Sequence, residues 1–219
     1  WSGVNTTVAG EQSNAEVPGA NMASSWRHID YINTSSTSVA GGGFGHLIDS
    51  RVWLTSCSNN VRGIFAGGTT YDTAFTNRIE YVTIASLGDG AEFGDLTKAK
   101  FGLAACSSSP REIFAGGRYF DSGYAGGTET NTRNIDYITM DTTADATDFG
   151  DLVRTDGISY LASCSNTVKG VFAEGRSIEY IQMDSIGSAS VYPQLDGNGD
   201  DPLALTSAAK QKMTSSSGN

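Results

Sequence analysis

The chain has 219 residues, among them 27 glycines, 4 prolines and 3 cysteines, and its 24 acidic against 14 basic residues leave a net charge of -10. An acidic chain without a cluster of Lys and Arg disfavours binding along a nucleic-acid backbone, which needs concentrated positive charge to displace counterions. No apolar run approaches the roughly 20 residues that a membrane-spanning helix requires. What remains is a turn-rich composition of Gly, Ser, Thr and Asn, at a length that one all-β domain can hold.

Trp1 is no initiator residue, so the sequence reads either as a chain whose leader was removed or as a piece of a longer polypeptide. Four features then recur along it. The first is Ile-acid-Tyr-aliphatic, at Ile29-Asp30-Tyr31-Ile32, Ile79-Glu80-Tyr81-Val82, Ile135-Asp136-Tyr137-Ile138 and Ile178-Glu179-Tyr180-Ile181. From Ile to Ile these lie 50, 56 and 43 residues apart. The second follows 14 or 15 positions later: Phe44-Gly45-His46-Leu47, Phe93-Gly94-Asp95-Leu96, Phe149-Gly150-Asp151-Leu152 and an eroded Tyr192-Pro193-Gln194-Leu195.

The third feature is a Cys-Ser pair at Cys57, Cys106 and Cys164, each followed five residues on by Arg62, Arg111 or Lys169. The fourth begins with an aliphatic and Phe: Ile64-Phe65-Ala66-Gly67-Gly68, Ile113-Phe114-Ala115-Gly116-Gly117 and the weaker Val171-Phe172-Ala173-Glu174-Gly175. Each unit therefore predicts four short strands separated by turn chemistry, in the third unit at about 100 to 106, 112 to 116, 135 to 140 and 147 to 152. These runs are apolar on both faces, so each sheet must be covered from both sides. A small sheet covered on each face by the next copy of itself is a propeller blade.

An aliphatic-aromatic pair with a Gly-Gly doublet, then a variable loop, then aliphatic-acid-Tyr and a later aromatic resembles the kelch repeat of β-propellers. The likeness runs from about residue 8 to 195, with Phe93 and Phe149 where that repeat usually has Trp. The wording Phe-Gly-Asp-Leu and Ala-Cys-Ser-Ser-Ser also resembles tandem repeats in virion-associated and tail-appendage proteins of marine bacteriophages. These resemblances imply one all-β, kelch-like β-propeller domain over 1–219, with units at about 1–50, 51–99, 100–154 and 155–211. Residues 212–219 would complete the first blade. Met213 to Asn219 aligns with Leu54 to Asn60, and Trp1-Ser2-Gly3-Val4 resembles Val61-Arg62-Gly63-Ile64, the element that follows. Four blades of four antiparallel strands, closed by pairing of 212–217 with a strand in 1–10, follow as the expectation, with an arc of a larger ring as the alternative.

Little in the sequence carries catalysis. The cysteines hold one repeated position, which places them too far apart for a disulfide and reads as small thiols packed between blades. His28 and His46 occupy unrelated repeat positions, and His46 stands where Asp95 and Asp151 stand, so a turn role accounts for it. Glu80 with Asp136, and Asp95 with Asp151, recur because the blade recurs, whereas a catalytic pair is expected once. Arg62, Arg111 and Lys169 are expected to form within-sheet ion pairs with the acids of the third strand. Asp196, Asn198 and Asp200 have calcium-like spacing in an acidic turn, though the loop departs from the full calcium pattern. No other cofactor is indicated.

Function should live in the variable loops between the second and third strands, which carry Tyr71, Phe75, Tyr119, Phe120 and Tyr124. The reading is a non-enzymatic structural or adhesion module, virion or extracellular, contacting other virion or surface proteins or a cell-surface glycan through those aromatics. Packing over the blades is the competing account of the same rings. A propeller glycosidase or oxidase, and an intracellular kelch-type scaffold, are the alternatives.

Overall fold

The computed structural model describes residues 27–32, 41–70, 75–121, 127–174 and 177–192. Within them every regular element is a strand. Three complete meanders are present, each pairing antiparallel with its neighbours in chain order. The first joins β3 (Thr55–Ser58), β4 (Arg62–Ala66), β5 (Arg78–Thr83) and β6 (Ala91–Asp95). The second joins β7 (Ala104–Ser108), β8 (Arg111–Ala115), β11 (Asn134–Thr139) and β12 (Thr147–Asp151). The third joins β13 (Ala162–Ser165), β14 (Lys169–Glu174), β15 (Ser177–Gln182) and β16 (Ser190–Val191).

Ahead of these lies a two-stranded sheet, β1 (His28–Ile32) with β2 (Gly41–His46), built from the first copies of Ile-acid-Tyr and Phe-Gly. The long loop after Gly117 carries a ribbon of its own, β9 (Arg118–Phe120) with β10 (Glu129–Asn131). The first strand of the second sheet begins at Ala104 and not near 100, because Gly102 turns the chain with a φ of 63° before pairing starts. Residues 1–10 and 212–217, on which the expected closure rests, lie outside the described residues, as do Tyr71, Tyr124, Asp196, Asn198 and Asp200.

The sheets stack face to face, which is why their strands are apolar on both sides. One core layer joins Ile29, Phe44 and Leu47 to Phe65 and Val82. The next joins Ile64, Ile79 and Phe93 to Phe114, Ile138 and Met140. A third joins Ile113, Ile135 and Phe149 to Phe172, Ile181 and Met183. Burying a side chain of this size fully is worth about 1.5–3 kcal/mol, so the layers between sheets carry the stability.

A bulge in the same place of three sheets explains the recurring Phe. Ile29 pairs with Gly45 but Asp30 with Gly43; Ile79 with Gly94 but Glu80 with Glu92; Ile135 with Gly150 but Asp136 with Asp148. The extra residue is Phe44, Phe93 or Phe149, which turns into the core and meets Tyr31, Tyr81 or Tyr137 edge to face at 5.8–6.4 Å. Gly after that Phe has a steric cause as well. A Cβ on Gly94 would stand 2.4 Å from the Ala144 carbonyl oxygen, contributed by the turn of the next sheet.

Sequential sheets are also tied by hydrogen bonds. Ser107 Oγ donates to the Ser58 carbonyl at 2.9 Å, and Ser163 and Ser165 Oγ donate to the carbonyls of Ala105 and Ser107, both at 2.6 Å. The edge strands β3, β7 and β13 thus run side by side. On the outer strand, the Ala146 amide donates to the Asp95 carbonyl and that of Ala189 to Asp151, both from the turn of the following sheet.

Candidate functional site

The repeated acids do not meet the basic residues that the spacing assigned to them. Arg62, Arg111 and Lys169 pair across the strands with Thr83, Thr139 and Gln182. Two residues back on the same face stand Tyr81, Tyr137 and Tyr180, whose rings the cations cover at 4.6, 5.3 and 4.2 Å from the centroid. Arg62 and Arg111 also donate to the carbonyls of Met140 and Met183 in the next sheet. The acids, one residue off, face the other way.

Glu80, Asp136 and Glu179 instead hold the linker that enters their own sheet. Glu80 accepts from the Ile48 amide at 2.7 Å and pairs with Arg51, both side chains being wholly buried. Asp136 accepts from Thr97 Oγ at 2.6 Å and pairs with Lys100 Nζ at 3.0 Å. Glu179 accepts from the Val153 amide at 2.6 Å. At two of these residues desolvation outweighs the partner: burial pushes Glu80 up and Lys100 down. These carboxylates tie each linker to its own sheet.

His28 and His46 come together as opposite residues of β1 and β2, with ring centroids 4.6 Å apart. His46 Nδ1 also lies 3.1 Å from Asp89 Oδ1, and its amide donates to the same oxygen. The role is a turn contact, shared with Asp95 and Asp151, whose amides donate to Asp145 and Ser188. All three cysteines are free, and burial raises each thiol. Among the described residues no group of three or more His, Cys, Asp or Glu side chains is placed to hold a metal ion.

The linkers and the loops after the Gly-Gly doublets share one end of the sheets. Val52 and Thr69 exchange backbone hydrogen bonds, as do Phe101 and Arg118. On this end the described loop aromatics form a packed cluster. Phe75 stacks on Phe120 at 4.1 Å and 6°, linking loops of two sheets, and lies 4.6 Å from the buried Phe101. Tyr119 sits beneath Lys98 Nζ, 5.0 Å from its ring centroid. Phe75, Tyr119 and Phe120 are half-buried.

The exposed rings among the described residues belong to the linkers, where Trp53 and Tyr160 each pack on Phe101, at 5.3 and 6.1 Å between ring centroids, and the loop-based reading missed them. Trp53 is 57% and Tyr160 55% exposed. They and Gly102 hold one register position, two residues after Arg51, Lys100 and Ile158, and all three are left-handed, with φ of 56°, 60° and 63°. The Gly102 amide donates to the Trp53 carbonyl at 3.0 Å and the Tyr160 amide to the Gly102 carbonyl at 2.6 Å. Such a φ costs a bulky residue of order 1 kcal/mol or more, and the equivalent Gly102 shows that the turn itself needs no side chain. The linker alignment carried this signal, an aromatic standing where a sister copy has Gly.

Beside Tyr160 lies a cleft of about 270 Å³, lined by Arg118, Asn131, Arg154, Asp156 and Glu174 among others. Arg118 Nε donates to Asn131 Oδ1 at 3.0 Å, and Arg154 spans Asp156 and Glu174. Planar amide, guanidinium and carboxylate groups thus converge next to an exposed ring.

The chain matches no protein-family model, and no curated protein matches it.

Proposed function

We propose that this chain is a kelch-like β-propeller of four blades, closed by its N- and C-terminal strands, and that it serves as a non-enzymatic adhesion module of a virion or another extracellular particle. The propeller reading is supported by the consecutive first strands β3, β7 and β13, which lie side by side as the inner strands around an axis would. The partner is a surface glycan, bound at the linker end. Trp53 and Tyr160 carry this reading: two large rings kept more than half exposed on backbone that glycine would occupy more cheaply. Such rings stack on the apolar face of a pyranose, and the polar groups of the adjacent cleft match its hydroxyls, each of which both donates and accepts. Arg118 and Arg154 are already paired with carboxylates, so the cleft offers no surplus of positive charge and suits a neutral saccharide.

An enzyme would need an unrepeated acid at an open site. Of the unrepeated acids in repeated strand positions, Glu112 is wholly buried between sheets, and Glu174, which stands where Gly67 and Gly116 stand and lines the cleft, is paired with Arg154 at 2.8 Å. The test is a glycan array probed with the wild-type chain and with Trp53→Gly and Tyr160→Gly. Binding of neutral glycans that either substitution reduces at least tenfold, with unfolding temperature retained, supports the reading. No glycan bound, or binding indifferent to both substitutions, overturns it; capture of a protein partner through the same rings would replace the glycan with a protein.

A further inference from the structure

The chain has two histidines, and the fold sets both on one cross-strand pair. His28 of β1 stands opposite His46 of β2, with ring centroids 4.6 Å apart and planes inclined by 54°. The same place holds Arg78 opposite Asp95 in the first full sheet and Asn134 opposite Asp151 in the second. Those sheets form the same bulge and turn contact without an imidazole, so the repeat does not require the rings.

Both residues sit on firmly held backbone. Their neighbours Ile29 and Leu47 are core residues, the Leu47 amide donates to the Arg27 carbonyl at 2.7 Å, and the Gly90 amide donates to the His46 carbonyl at 2.7 Å. The rings themselves reach solvent, His28 being exposed and His46 partly so. Asp89, from the turn of the next sheet, orients one of them. Its Oδ1 accepts from the His46 amide at 2.9 Å, the contact that Asp145 makes with the Asp95 amide, and it also lies 3.1 Å from His46 Nδ1. A carboxylate at Nδ1 keeps the proton there and leaves Nε2 its lone pair, which is how metal-bound histidines are commonly set. Asp30, two residues on along the face of β1 that carries His28, adds negative charge, while Arg27 is the cation that acts on Asp89.

The ring spacing has a chemical meaning. Two imidazole nitrogens on one ion, each at about 2.0–2.1 Å, put the ring centroids roughly 4.5 Å apart at a right angle and roughly 5.2 Å apart at a tetrahedral one. The observed 4.6 Å fits the right angle, the adjacent corners of a tetragonal site such as Cu(II) and Ni(II) prefer. We propose that His28 and His46 form a binding site for a divalent transition ion of this kind, Cu(II) ahead of Ni(II), with Asp89 as the positioning residue of His46. Among the described residues no group of three or more His, Cys, Asp or Glu is placed to hold a metal, so the other coordination positions belong to water. A bound ion cross-links β1 to β2 and stabilises that sheet. The site depends neither on the glycan reading nor on closure of the ring.

The test titrates the full, untagged chain with Cu(II) and, because copper also oxidises thiols, with redox-inert Ni(II), in a buffer that chelates neither. One equivalent of Cu(II) should bind and give a tetragonal electron paramagnetic resonance spectrum split by two imidazole nitrogens. His28→Asn, which installs the residue of the sister position Asn134, and His46→Asn should each weaken binding of both ions at least tenfold and abolish the two-nitrogen pattern. Asp89→Asn, which keeps an acceptor for the His46 amide, should weaken binding about tenfold and retain that pattern. At a metal concentration of about 100 times Kd, the unfolding temperature of the wild type should rise by roughly 5 °C or more. Because the chain has no other histidine, the two-nitrogen pattern identifies the pair even where a variant fails to fold. Binding indifferent to both histidine substitutions, a spectrum without imidazole nitrogen, or no binding tighter than about 1 mM overturns the site. Unchanged affinity in Asp89→Asn removes Asp89 from it, and a dimer that forms only with metal would put the two rings on different copies and overturn the pair.

Discussion

The carboxyl of Glu112 faces the thiol of Cys57 across the seam between the first and second full sheets, and neither of its oxygens has a well-formed hydrogen bond. The equivalent strand positions are Gly63 and Gly170, and a Cβ on Gly170 would already stand 2.9 Å from Cys106 Sγ. A carboxyl has therefore been placed where both sister copies carry glycine, although a Cβ on Gly63 would meet only Val82 Cγ2, at 3.3 Å. Burial pushes its pKa up to about 8.

The sign of the consequence follows from linkage. In the folded protein Glu112 stays protonated up to about pH 8, whereas in the unfolded chain it ionises near its ordinary value of 4.5. The unfolded state thus gains from ionisation as pH rises through this window, and folding stability falls by up to several kcal/mol, at about 1.4 kcal/mol per tenfold. Glu112→Gln should remove that slope between about pH 5 and 8 and leave stability near pH 4 almost unchanged. Urea unfolding across this range measures it; a variant as steep as the wild type would mean that the carboxyl is solvated.

Gly94 tests the fit between consecutive sheets. Its φ of 156° is one that residues with a side chain rarely adopt, and an added Cβ would also stand 2.4 Å from the Ala144 carbonyl oxygen of the next sheet. Gly94→Ala should cost on the order of 1–3 kcal/mol, and Gly88→Ala, where an added Cβ meets nothing within 4 Å, much less than that. Comparing the two by chemical denaturation checks the stacking of sheets without reference to any ligand.

Phe75 and Phe120 belong to loops of different sheets and stack at 4.1 Å. Single substitutions to Ser should each lower stability, and the double variant should show a coupling of about 0.5–1.5 kcal/mol beyond the lost area. A coupling near zero in a double-mutant cycle would release both rings from packing and return them to the candidate contact surface alongside Trp53.

The sequence by itself determined the repeat and most of its strands. Ile113-Phe114-Ala115 and Ile135-Asp136-Tyr137-Ile138 announce both-face burial through their own composition, and the three intact sheets appear where those strings stand. It also placed the variable loops on one end, since a meander forces that alternation. Tertiary structure alone decided what the polar residues face. A bulge of one residue at Phe93 or Phe149 is invisible in a string of letters, and face assignment in a strand of period two decides whether an acid meets a base on the neighbouring strand or a linker. That is why Glu80 found Arg51 and Arg62 found Tyr81. The burial of Glu112, the meeting of His28 with His46 and the display of Trp53 and Tyr160 likewise depend on neighbouring strands, sheets and linkers tens of residues away in sequence, whose approach no local pattern encodes.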